Sequence, residues 1–265
     1  MTRPTVHVSL ACWPGLRHDL AARHLASDVV EPLFGRLCTD HVQLVPQNFG
    51  VLTEAMVDGL MAAFPQVRFR LHANVRVMPE HRRADLSNFA EERRWFEQAA
   101  RVSRVLGARA YTAHAGRRAN ASLQEAFDNC RRAADLFGCP VGIEGLYPSR
   151  AEDWLLSTWA EYRQLLTAGV AYALDLSHLH ILATQSGQLD LGLVRELLAS
   201  CYCMEIHVSH NDGRADSHRP CPASPPWWFD PLQRALRYPE HGNGAVVFSE
   251  GNLRQGERLR DVHTS

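Results

Sequence analysis

The chain has 265 residues, of which 46% are hydrophobic and 22% charged, and its 28 basic side chains nearly balance 29 acidic ones for a formal charge of −1. This size and balance suit a folded protein with a large core. They exclude a global field that would draw the chain to nucleic acid or a membrane. Seven cysteines stand at 12, 38, 130, 139, 201, 203 and 221 without a repeating interval, and Cys201-x-Cys203 is not a Cys-x-x-Cys pair. Free thiols in a reducing cytoplasm are therefore expected. Met1–Pro4 is short and polar, and no apolar run approaches membrane-spanning length, so neither a signal peptide nor a membrane anchor is expected.

Eight short β-like runs recur in chain order: Thr5–Ala11, His41–Pro46, Val67–Asn74, Ala108–His114, Pro140–Gly145, Val170–Leu176, Met204–Val208 and Ala245–Ser249. Helical patterns fill most of the intervals. Thr53–Phe64 sets Ala55, Met56, Leu60 and Ala63 near helical spacing, and Ser87–Leu106 sets Phe89, Trp95, Phe96, Ala99, Val102 and Leu106 on one side. Ser122-x-x-Glu125 and Ser149-x-x-Glu152 fit capping boxes, in which hydroxyl and carboxylate satisfy the free N–H groups of a helix start. Gly107, Gly138 and Gly169 each close a helical run just before a strand, as left-handed caps do. Strand, helix, glycine and strand in this repetition predict parallel βαβ units. Eight strands in a chain of this length, with no linker to divide it, predict an α/β fold: one (β/α)8 TIM barrel spanning residues 1–265.

Functional side chains of such a barrel gather at the C-terminal ends of its strands. Here those ends carry His72, His114, Glu144, Asp175 with His178, His207, and Glu250. The segment after the seventh strand, Ser209–Pro220, adds Asp216-x-His218. Any one of these has an ordinary structural explanation. Gathering so many carboxylates in one place without a cation would force some to protonate, at several kcal/mol each. Imidazole and carboxylate together suit zinc, manganese or iron.

The strand-end pattern resembles the xylose isomerase-like barrel superfamily, and most closely its endonuclease IV branch. The likeness runs from His7-Val8-Ser9 to Glu250, and its more specific parts are Asp175-x-x-His178 and Asp216-x-His218. That branch holds three metal ions with five histidines, two aspartates and two glutamates. The resemblance implies the same role for His72, His114, Glu144, Asp175, His178, His207, Asp216, His218 and Glu250, with two or three divalent ions as cofactors. The single-metal isomerases and epimerases of the superfamily keep the Glu144, Asp175, His207 and Glu250 positions and a histidine placed like His178. His72, His114 and Asp216-x-His218 tilt the comparison toward a multinuclear site. Two Gly-rich segments of the endonuclease branch are replaced, by Leu146-Tyr147-Pro148-Ser149 and by Arg219-Pro220-Cys221-Pro222. Abasic-site cleavage is therefore not carried over, and a small molecule rather than DNA is the expected partner.

Three chemistries fit this reading. The first is metal-assisted hydrolysis of a small phosphorylated or otherwise anionic substrate, with Glu144, Glu250 and His178 as the catalytic candidates. The second is sugar isomerisation or epimerisation, with Glu144 and Glu250 as acid and base across the sugar. The third is an iron-dependent oxidation. Arg214 and Arg219 can bind an anionic group bidentately, while Arg117 reads better as a surface ion pair. Trp227, beside Trp228 in a proline-rich segment, can stack on a sugar or base or serve in packing. The oligomeric state is not legible in the sequence.

Overall fold

The computed structural model describes residues 4–80, 82–150, 153–237 and 244–254. Its eight main strands are β1 (His7–Ser9), β2 (Cys38–Leu44), β3 (Arg68–Leu71), β4 (Tyr111–His114), β5 (Val141–Glu144), β6 (Tyr172–Asp175), β7 (Cys203–Val208) and β8 (Val246–Ser249). All eight predicted strands are present. They form one parallel sheet in the order β3-β2-β1-β8-β7-β6-β5-β4, which curls into a nearly closed (β/α)8 barrel. Among the described residues no ladder joins β3 to β4, and His72 and His114 stand on either side of that seam.

Each of β1 to β7 is followed by helix: α1 (His18–Ala22), α2 (Glu54–Ala63), α3 (Arg93–Val105), α4 (Leu123–Phe137), α5 (Trp159–Thr167), α6 (Leu176–Ser186) with α7 (Leu191–Ala199), and α8 (Phe229–Arg237). Phe89, Trp95, Phe96, Ala99, Val102 and Leu106 all face the core as their spacing predicts. In α2 the buried face runs through Val57 and Leu60, whereas Ala55 and Ala63 are exposed. Both alanines are too small to outweigh a β-branched and a γ-branched neighbour for the one narrow buried stripe.

The Ser122–Glu125 capping box forms as expected, and α4 ends on Gly138 at φ +71°. Gly107 and Gly169 also adopt positive φ. The second expected box falls on Glu152, which lies outside the described residues. The helix after β5 starts nine residues later, where Thr158 caps and Glu161 completes the box. No helix among the described residues is long and apolar enough to cross a membrane, and all seven cysteines are free.

Candidate metal centre

The β strands deliver the site through their last residues. Glu144 ends β5 and Asp175 ends β6, while His72 and Glu250 stand one residue beyond β3 and β8. Gly145 makes the turn after Glu144 possible, because a Cβ there would collide with the Tyr162 hydroxyl and lie 2.8 Å from the Leu156 carbonyl. Asp175 is also the N-cap of α6. Its Oδ1 accepts the Ser177 and His178 amides at 2.7 and 3.1 Å, which leaves Oδ2 3.4 Å from His178 Nε2. The Asp-x-x-His spacing is thus a helix start that turns both side chains into the mouth.

Asp216 and His218 arrive on a loop that closes on itself. His210 and Arg219 exchange both backbone hydrogen bonds, at 2.8 and 2.9 Å. Asn211 Oδ1 and Asp212 Oδ1 accept the amides two residues on, and His218 sits at φ +43°. These constraints bring Asp216 Oδ2 to 2.8 Å from His218 Nε2 and 3.4 Å from His178 Nε2.

A cavity of about 310 Å³ opens at this end of the barrel, and eight of the nine expected ligands line it. The ninth, His207, lies beneath, fully buried, with Nδ1 3.2 Å from Glu144 Oε1. Three donor groups overlap. His72, His114 and Glu144 form one, with Glu144 Oε2 at 3.5 and 3.8 Å from the two Nε2 atoms. Glu144, Asp175 and His207 form another, and Glu250 meets His72 and His207 in a third. Glu144 is shared: Oε2 faces His72 and His114, while Oε1 faces His207 and His178.

The histidines are aimed by partners behind them. His178 Nδ1 lies 3.0 Å from the Gly145 carbonyl, so it is the protonated nitrogen and Nε2 is left for the cavity. His114 turns Nδ1 to Asn74 and Asp85, at 3.2 and 3.6 Å. His207 Nε2 lies 2.6 Å from Glu205 Oε1. Glu205 is itself buried and takes further bonds from Gln43 Nε2 at 2.7 Å, Thr112 Oγ1 at 2.9 Å and Arg70 NH1. A polar plug therefore fills the barrel directly below the site, where branched aliphatic layers are usual.

Whether these residues fit a cation is answered by what they lack. Five buried polar atoms of the expected ligands have no hydrogen-bond partner: His72 Nδ1, Glu144 Oε2, Asp216 Oδ1, His218 Nδ1 and Glu250 Oε1. Native interiors leave few such atoms, and a bound ion is one standard resolution. The charges are in conflict as well. Burial pushes Glu250 up to about 7, aided by Asp175 and Glu144 and opposed by His207 and His218. Burial pushes Glu144 upward too, but His207 and His72 overcome it and hold the carboxyl well below its usual range. His178 is lowered by burial yet raised overall to about 10 by Asp175 and Asp216. The donor set, all nitrogen and oxygen, fits divalent zinc, manganese or iron.

No protein-family model matches the sequence, and no curated protein matches it. Solved structures do. A D-tagatose 3-epimerase-like protein aligns at 17% identity with a TM-score of 0.65, over 98% of this chain and 95% of its own. An AP endonuclease of family 2 from Brucella melitensis aligns at 16% and 0.59, over 99% and 100%. A xylose isomerase domain containing protein from Salmonella typhimurium LT2 aligns at 15% and 0.58, over 99% and 96%. The chain shares the (β/α)8 barrel fold of these structures. At these identities the likeness is one of fold, and the site has to be read from its own residues.

Three expected substrate contacts are placed elsewhere in the barrel. Arg214 and Arg219 are exposed and do not line the cavity; the backbone pairing of His210 with Arg219 ties down the loop and turns both guanidinium groups outward. Trp227 donates its indole N–H to His180 Nδ1 at 3.1 Å, and Trp228 is buried and stacked on Phe34. Both rings serve packing. The lining instead includes Asn74, Arg83, Tyr147 and Trp154, none of which the sequence singled out for the site. Strand parity could have found two of the supporting residues: Arg70 is two before His72 and Glu205 two before His207, so each shares its histidine's inward face.

Proposed function

We propose that this barrel is an enzyme with a multinuclear metal centre that hydrolyses a small phosphorylated or otherwise anionic substrate. The observation that carries the reading is the convergence of six donors, His72, His114, Glu144, Asp175, His207 and Glu250, in overlapping groups, with Asp216 facing His178 and His218 beside them and five buried polar atoms of these nine residues left without hydrogen-bond partners. His72, His114 and Glu144 would hold one ion; Glu144, Asp175, His207 and Glu250 a second; His178, Asp216 and His218 a third. Divalent ions so held supply an activated water near neutral pH and neutralise charge building on a substrate oxygen. Glu144, facing histidines through both oxygens, would be the carboxylate shared between ions. Glu250 and His178 both border the cavity and would orient the substrate and the attacking water. A cavity of about 310 Å³ suits a small molecule and not a duplex. The barrel acts as one unit, and its free thiols suit a cytoplasmic setting.

A second reading is epimerisation of a sugar. Glu144 and Glu250 both reach the cavity, with His207 Nδ1 between them at 3.2 and 3.9 Å. The best-aligned structure reported above is that of a D-tagatose 3-epimerase-like protein. In that case the two carboxyl groups would exchange a carbon-bound proton, and His72, His114, Asp216 and His218 would have no ligand role.

Metal analysis of wild type, His114→Ala and His218→Ala separates the two. The hydrolase reading expects each variant to lose about one ion while staying folded, together with turnover of phosphate esters. Unchanged metal content in both variants, with deuterium from solvent appearing in a ketose substrate, would replace it by the epimerase.

A further inference from the structure

The opposite end of the barrel carries a second convergence of donors, unrelated to the mouth. His7 opens β1 and Cys38 opens β2, and the two are paired across the ladder. The next pair is Val8 with Val42, so Thr39, Asp40 and His41 are extra residues on β2 with no counterpart on β1. A bulge of this kind re-aims side chains. Here it folds Asp40 back over the strand starts, so that Asp40 Oδ1 lies 3.0 Å from both His7 Nδ1 and Cys38 Sγ.

We propose that His7 Nδ1, Cys38 Sγ and Asp40 Oδ1 form a binding site for a zinc-class divalent ion at the floor of the barrel. The three donor atoms lie within 4.8 Å of one another. Tetrahedral zinc with bonds of about 2.0–2.3 Å separates its donors by roughly 3.3–3.8 Å, so side-chain adjustment alone closes the site. His7 Nδ1 is buried and faces Asp40 Oδ1 at 3.0 Å, so the imidazole and the carboxylate already point at a common position. The Asp40 side chain is 54% exposed, which leaves the site open to water as a fourth ligand.

The surrounding charges define which ion fits. Arg68 lies 3.5 Å from the other Asp40 oxygen, so it fixes the carboxylate while leaving Oδ1 turned to the site. Its positive charge disfavours weakly held cations. His41 stacks edge-on to His7 at 5.7 Å, but its Nε2 accepts from Arg70 Nε and is committed to the barrel interior. One thiolate, one carboxylate and one imidazole neutralise a divalent charge, and sulfur with nitrogen selects zinc or cobalt over magnesium or calcium. Binding displaces the Cys38 thiol proton to solvent, with no change of oxidation state.

Sulfur makes the site separable from the mouth, whose nine donors contain none. Cobalt(II) is titrated into the full chain while the thiolate-to-cobalt charge-transfer band is followed in the near ultraviolet. Wild type is expected to develop the band, zinc to abolish it, and His114→Ala to retain it. Cys38→Ser is expected to lose it, and His7→Ala to weaken cobalt binding by roughly tenfold or more. Circular dichroism verifies that each variant is folded. Absence of the band in wild type, its persistence in Cys38→Ser, or unchanged affinity in His7→Ala would overturn the assignment. None of these results depends on whether the mouth binds metal.

Discussion

Glu205→Gln removes one negative charge from the most enclosed polar network in the protein. Arg70 has a side chain only 6% exposed and meets Glu205, itself 0% exposed, through NH1. Burial raises the Glu205 carboxyl, but Arg70, His207 and the His207 hydrogen bond outweigh it and lower it to about 2, so the group is ionised at neutral pH. Glutamine keeps the volume but leaves the Arg70 charge without compensation in the barrel interior. Breaking a buried pair in this way costs about 3–5 kcal/mol, a large share of the roughly 5–15 kcal/mol that holds a domain folded. Replacing both residues with apolar ones of similar size, Arg70→Met with Glu205→Leu, removes the unpaired charge as well, and most of the loss should return. Urea unfolding of wild type, both single variants and the double variant yields the coupling energy directly. A Glu205→Gln variant within about 1 kcal/mol of wild type would refute the claim that Arg70 depends on this partner.

Glu161 offers a pH test away from both proposed metal sites. Burial raises its carboxyl, but hydrogen bonds from Arg118, Thr158 and Ser157 lower it overall. A depressed carboxyl contributes stability that is present above its unfolded value and lost as the pH falls. Glu161→Gln should therefore cost about 1–2 kcal/mol at neutral pH, and its difference from wild type should shrink below about pH 4. A constant difference in unfolding midpoint down to pH 3 would contradict this. Gly145→Ala should destabilise by roughly 1–3 kcal/mol, because the new methyl meets Tyr162 and the Leu156 carbonyl; thermal denaturation measures it. Trp228→Ala should cost about 3–5 kcal/mol, whereas Trp227→Phe should lose only its bond to His180 and leave substrate KM unchanged.

The barrel was legible because strands covered on both faces read as short apolar runs between helical patterns. The side chains that gather at the mouth were legible because each run stops at a polar residue that burial alone would not favour. Other features were hidden for identifiable reasons. The β1–β2 bulge depends on which residues pair, and pairing across thirty positions leaves no local pattern in Cys38–His41. Glu205 sits inside a run that is otherwise apolar, and its value is apparent only once Arg70 arrives from a strand 135 positions away. Arg214 and Arg219 were attractive for their charge, yet the direction of an exposed side chain is decided by the loop closure between His210 and Arg219. The cap at Ser149 competed with the one at Thr158, and both have the same Ser/Thr-x-x-Glu form; the helix begins at the second.

The central claim is that side chains from β3 through β8 converge to cage cations at the barrel mouth. Anomalous diffraction from crystals grown with zinc, manganese or ferrous salt tests it most directly. Two or three peaks are expected among His72, His114, Glu144, Asp175, His178, His207, Asp216, His218 and Glu250, with Glu144 between two of them. A map with no anomalous density inside that ring of side chains would contradict the account.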